Sequence, residues 1–328
     1  MGDVAGVFDS CLAAVQRVCV HPADPTAFVA CTSDGGVTRW DLNSYLQTRR
    51  FDPQVRFASG EQPQCTCLQI VAGLDIQLSG WTDGCVRCHD FASGELLWSV
   101  ARTHRGPVSA ILVAPSLRFY LTGGDDGDIK AWDMRSRELK FVLSDHKQAV
   151  LMLHLLGTET HLVSASRDRT TVSWDINRQR RVTCHESFAG TTTAAAVARD
   201  ECRVLVAGAG GTLDEWDLRQ AERARQASVG GWAAAGADGV AAGDGVASQA
   251  AFATCLRRAP QNLASCADFF VTGGSNHVVQ VWDDRELRPV HTGHGHSAPV
   301  HDVVYTCDGR QLVSGSADRA LMVWNLYE

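Results

Sequence analysis

The sequence predicts an all-β chain, a single seven-bladed β-propeller of four-stranded antiparallel blades, and three regular spacings predict it. The first is a recurring Trp-Asp dipeptide: Trp40–Asp41, Trp132–Asp133, Trp174–Asp175, Trp216–Asp217 and Trp282–Asp283, with Trp324–Asn325 a near copy and His89–Asp90 in the remaining slot. Successive sites are 49, 43, 42, 42, 66 and 42 residues apart. A period of about 40–45 residues suits one four-stranded sheet per repeat, stacked radially so that few edges stay unpaired.

The second spacing is a turn residue six positions before each site: Asp34, Asp83, Asp126, Asp168, Gly210, Asn276 and Asp318. Asp, Asn and Gly favour tight connections between strands. Four positions earlier come Ala30, Ser79, Thr122, Ser164, Val206, Thr272 and Ser314, mostly hydroxyl residues. The third spacing is a histidine 22 residues before the turn Asp: His104, His146 and His296. The matched sets are His104/Thr122/Asp126/Trp132, His146/Ser164/Asp168/Trp174 and His296/Ser314/Asp318/Trp324.

These landmarks place blades at about 11–55, 62–103, 104–145, 146–186, 187–220, 250–292 and 293–328. The last blade stops after its third strand. The segment Val4 to Phe8 is expected to supply the fourth and close the ring, because closure removes unpaired edges. The long step carries an Ala/Gly-rich insertion at 221–250, containing Trp232, which is expected to be a flexible loop. Blade five is degenerate, with Gly210 and Val206 at landmark positions, and blade two has His89 in place of Trp. Because Asp168 has a matched His and Trp and Asp83 does not, loss of Asp168 is expected to cost more stability than loss of Asp83.

The matched sets resemble the WD-repeat family. The resemblance implies that the His, Ser/Thr, Asp and Trp of a blade form one hydrogen-bonded chain, with Asp accepting from His, His donating onward to the hydroxyl, and the hydroxyl meeting the indole. Such a network stabilises only when each member is satisfied. It also makes these residues structural, although His and Asp together suggest acid–base chemistry.

Other features narrow the function. Net charge is -7 at pH 7, with no long Lys/Arg run, so no nucleic-acid partner is expected. Arg178, Arg180 and Arg181 form a local basic cluster that reads as a solvated edge. No apolar run reaches the roughly 20 residues of a membrane span, and Met1 to Ser10 lacks the pattern of a signal peptide. A cytoplasmic, monomeric protein with reduced cysteines is expected, without membrane association. Cys85 and Cys88 lack a matching second pair, and His291, His294, His296 and His301 are a dense but unpatterned group. No phosphate-binding loop or nucleophile elbow is present. The expectation is a non-enzyme with no cofactor and no metal.

Three sites read Trp-Asp-x-Arg, ending in Arg135, Arg219 and Arg285. They resemble the motif by which WD-repeat proteins dock onto the cullin-4 ubiquitin-ligase adaptor, which makes a ligase substrate receptor the alternative reading. The more specific resemblance lies in Ser79 to Ile111, SGWTDGCVRCHDFASGELLWSVARTHRGPVSAI, and in VSASRDRTTVSWDINRQRR and FFVTGGSNHVVQVWDDRELRPVHTGHGHSAPV. These are similar to the C-terminal propeller of the cilia- and flagella-associated protein 52 family. That resemblance implies a structural scaffold of ciliary and flagellar doublet microtubules in the axonemal cytoskeleton, with tubulin and other axonemal proteins as partners.

Overall fold

The computed structural model describes residues 4–8, 11–51, 62–157, 159–187, 190–198, 200–219, 223–228, 253–258 and 269–326. Among them there is no helix, and the strands form seven four-stranded sheets. Blade four shows the plan: Val150–Leu156, His161–Ser166, Thr170–Asp175 and Arg180–Glu186 pair antiparallel in chain order from the axis outward. The second and third strands are buried on both faces, so they read as nearly unbroken runs such as HLVSAS and TTVSWD. The outer strand is mostly exposed and polar.

Seven inner strands meet their neighbours around a closed ring, and the two faces of each blade pack against the blades beside it. The cores therefore lie between sheets. Leu121 and Ile129 of blade three meet Leu153, Leu162 and Trp174 of blade four in one such cluster. Each fully buried aliphatic side chain contributes about 1.5–3 kcal/mol, so a blade with a weak internal network can still be held by its neighbours.

The seventh sheet is made from both ends of the chain. Val4–Phe8 pairs antiparallel with Leu321–Asn325, outside Gln311–Ser316 and Val300–Tyr305. Phe8 is buried and packs edge-on against Trp40 at 5.1 Å and Phe28 at 5.7 Å in blade one. It thus wedges the last blade against the first.

Blade five has a fourth strand, Arg223–Ser228, which pairs with Thr212–Asp217. The span 221–250, expected to be a loop throughout, therefore begins with a strand. The sequence RARQAS hides it, because an outer strand faces water and needs no apolar alternation. The rest of that span from 229 onward, with Trp232, lies outside the described residues.

Each inner strand carries a register shift at the same place, between Val15/Arg17, Cys65/Cys67, Val108/Ala110, Val150/Met152, Thr192/Ala194, Ala253/Cys255 and Val300/Asp302. A bulge leaves one residue outside the ladder, free to direct its side chain elsewhere. In four blades that residue bonds the next blade. Thr66 donates to the Val108 carbonyl, Ser109 to the Val150 carbonyl at 2.7 Å, Thr254 to the Val300 carbonyl, and the His301 Nδ1–H to the Val15 carbonyl at 2.9 Å. His301 thereby laces blade seven to blade one beside the shared sheet.

Candidate functional site: hydrogen-bonded blades and their turns

In blade three, His104 lies in the loop ahead of the inner strand Val108–Val113, Thr122 on the second strand Phe119–Gly124, Asp126 in the following turn, and Trp132 on the third strand Ile129–Asp133. His104 Nδ1 is 2.9 Å from Asp126 Oδ1, His104 Nε2 is 2.8 Å from Thr122 Oγ1, and the Trp132 indole is 3.0 Å from the same hydroxyl. Blade four repeats this with His146–Asp168 at 3.1 Å, His146–Ser164 at 2.8 Å and Trp174–Ser164 at 2.8 Å. Blade seven has His296–Asp318 at 2.9 Å, His296–Ser314 at 2.7 Å and Trp324–Ser314 at 2.8 Å.

Electrostatics sets the direction of each chain. Burial pushes the imidazoles of His104, His146 and His296 below their ordinary range, although the neighbouring carboxylates oppose this. Burial also disfavours ionisation of the aspartates, but hydrogen bonds outweigh it. The backbone N–H groups of Arg105, Lys147 and Ser297 and the His rings hold Asp126, Asp168 and Asp318 below the usual carboxylate range. A neutral imidazole has one N–H, and the ionised carboxylate can only accept, so Nδ1–H faces Asp and Nε2 accepts from the hydroxyl. This corrects the expected direction, in which His would donate to the hydroxyl. The hydroxyl oxygen in turn accepts from the indole. The proton positions are saturated within the blade, which suits a structural clamp.

Blades one and two rebuild the clamp from other residues. In blade two the Trp81 indole donates to Ser79 Oγ at 2.8 Å, and Arg87 takes the place of His, with its Nη2 2.5 Å from Asp83 Oδ2. The guanidinium lies over the Trp81 ring at 4.7 Å, and both ends of the ion pair are nearly buried. In blade one the Trp40 indole donates to Thr38 Oγ1 at 2.9 Å, and Asp34 pairs with Arg50 at 2.8 Å. Blade six keeps Trp282 on Thr272 Oγ1 at 2.9 Å. In blade five Val206 offers no acceptor, and the Trp216 indole N–H is buried with no partner among the described residues. There the His185 ring packs on Trp216 at 5.3 Å and Ser187 Oγ donates to the buried Asp214 at 2.6 Å.

Three stretches match the family described as WD domain, G-beta repeat, at residues 94–133, 137–175 and 287–325. They hold the third strands, with Trp132, Trp174 and Trp324, of the blades whose clamps are complete. The chain carries WD repeats. This WD-repeat chain is also 25% identical to the mouse and human proteins named cilia- and flagella-associated protein 52, over 75% of its own length. The Chlamydomonas reinhardtii protein of that name is 25% identical over 80% of the chain. The chain spans 36% of the length of the mouse and human proteins.

The remaining sequence candidates fall apart in space. His296 belongs to its clamp and His301 to the inter-blade lacing, while His291 and His294 are exposed. Cys88 is in the core and Cys85 is half-buried. Among the described residues no three His, Cys, Asp or Glu side chains converge on a metal position. Arg135, Arg219 and Arg285 follow the third strands of blades three, five and six, so all three lie on one rim of the WD-repeat ring. Their backbone N–H groups bond Asp133, Asp217 and Asp283. The Arg219 guanidinium also folds back on Asp217, at 3.0 and 2.8 Å.

Proposed function

We propose that the chain is a non-catalytic protein-interaction scaffold of ciliary and flagellar axonemes, bound in the doublet microtubules to tubulin and neighbouring proteins. The observation that carries this reading is the similarity to proteins named cilia- and flagella-associated protein 52 across three quarters of the chain. The geometry supports a scaffold. The His and Asp side chains that resemble an acid–base set face each other within the blades, where they satisfy one another instead of facing an open cleft. A closed ring of rigid sheets presents its connecting loops for binding, as such scaffolds do. The test is fractionation of isolated cilia carrying the tagged chain. The reading predicts retention with salt-extracted axonemes. Release with the membrane and matrix fraction would contradict it.

A further inference from the structure

Blade four differs from its sister blades in the charge of its rim. The turn after the second strand begins with Ser33, Thr82, Asp125, Ala209, Ser275 and Ala317 in the other blades, and with Arg167 in blade four. Two residues later that turn holds Gly35, Gly84, Gly127 and Gly211 at φ of 84, 71, 81 and 75° in blades one, two, three and five. Blade four has Arg169 there, at φ 73°, blade seven Arg319 at 72° and blade six His277 at 70°. A long side chain in the left-handed region is unfavourable relative to glycine, so the charge is kept against a local backbone preference. The loop ahead of the blade adds Lys147, where blade three has Arg105 and blade seven Ser297, so Arg167 is the cation that no sister blade matches and blade four is the one that combines all three.

These cations border a groove of about 480 Å³, bounded by the loop at Asp145 and Lys147, the turn at Arg167 and Arg169, and Arg181 on the outer strand. Its anions are already engaged. Asp168 accepts from His146, Lys147 N and Thr170, Glu186 pairs with Arg169 at 3.1 Å, and Asp145 with Arg181 at 3.5 Å. Lys147 and Arg167 have no carboxylate within ion-pair distance among the described residues. The result is a local positive cleft in a chain of net charge -7. The four cations Lys147, Arg167, Arg169 and Arg181 outnumber the three carboxylates Asp145, Asp168 and Glu186 that share the lining, which leaves a surplus of positive charge.

We infer that this groove on blade four binds an acidic, glutamate- or aspartate-rich peptide segment of a partner protein. Guanidinium forks bind carboxylates in paired hydrogen bonds. The two ion pairs at its walls are exposed, so their exchange for incoming carboxylates costs little. A continuous phosphate backbone fits worse, because Asp145, Asp168 and Glu186 interrupt the cationic surface. The inference is independent of the ciliary reading, and binding in solution is measured without reference to where the chain resides.

The test uses substitutions that the chain itself makes in sister blades: Lys147→Ser, Arg167→Ser and Arg169→Gly, combined in the full chain. Fluorescence anisotropy with a labelled oligo-glutamate peptide reads binding. Saturable binding by the unsubstituted chain is expected, with weakening of at least ~10-fold in the triple variant, about 1.4 kcal/mol, and an unchanged melting temperature. Oligo-glutamine should not bind. Absence of binding by the unsubstituted chain, equal binding by the triple variant, or equally tight binding of single-stranded RNA overturns the inference. If the triple variant melts lower, Arg167→Ser alone carries the same comparison, since serine is native at that turn position in two other blades.

Discussion

The indole of Trp81 donates to the hydroxyl of Ser79, two residues earlier on the same strand, at 2.8 Å. In blades three, four and seven that indole comes from the neighbouring strand, ten residues further along the chain. Blade two keeps the bond and moves the donor, and Arg87 on Asp83 completes the substitute clamp.

The substitute is as consequential as the original. Asp83→Ala leaves a nearly buried guanidinium without its carboxylate, and Asp168→Ala leaves His146 without its acceptor. Each should cost about 1–3 kcal/mol, contrary to the expectation that Asp83 matters less. Urea unfolding of both variants checks this, and a silent Asp83→Ala would show that the Arg87 clamp carries no stability.

Val206→Thr should stabilise the protein. Threonine is close to valine in shape and supplies the oxygen that the Trp216 indole lacks. Satisfying a buried donor is worth about 1 kcal/mol. A rise in the urea midpoint is expected, and Trp216→Phe in the same background should remove the gain.

Ring closure rests on Phe8. Its ring fills the space between blade seven and blade one, so Phe8→Ala should cost about 3–5 kcal/mol. Hydrogen exchange should show the added opening first in Leu321–Asn325, the strand that pairs with Val4–Phe8.

Acid should destabilise the fold in two stages. Burial lowers the imidazole of His89 from 6.5 to about 4 and also lowers those of His104, His146 and His296. The folded state therefore holds fewer protons than the unfolded one between these limits, and stability rises with pH there. The histidine contribution is complete above pH 6.5 and is lost as pH falls toward 4. Protonation of Asp126, Asp168 and Asp318, all lowered from 3.8, removes a further part below that. Melting temperature should fall from pH 7 to 5, and His89→Gln, which cannot titrate, should flatten part of that fall.

Much of this was legible before the structure, and the illegible part has a physical pattern. Trp132, Trp174 and Trp324 announce their blades because a complete clamp fixes four residue types at fixed spacing. Blades one and two share the turn Asp but draw Trp81, Arg87, Thr38 and Arg50 from positions outside that spacing, where each residue alone looks ordinary. The outer strand Arg223–Ser228 is invisible to pattern because RARQAS has no apolar alternation, and an outer strand pairs along one edge only. The lacing residues Thr66, Ser109 and His301 carried a signal that went unread: each stands 23 residues before His89, Trp132 or Trp324, at the bulge. The cationic groove of blade four was not legible: of the cluster Arg178, Arg180 and Arg181, which reads as a solvated edge, only Arg181 lines it, and Arg167 and Lys147 join Arg181 there only through the fold.

The most direct test of the account is affinity purification of the tagged full chain from ciliated cells, with mass spectrometry of the co-purifying proteins. The account predicts enrichment of tubulin and other doublet-microtubule proteins, unaffected by Arg135→Ala, Arg219→Ala and Arg285→Ala together. Enrichment of the cullin-4 adaptor in their place, lost in that triple variant, would contradict it.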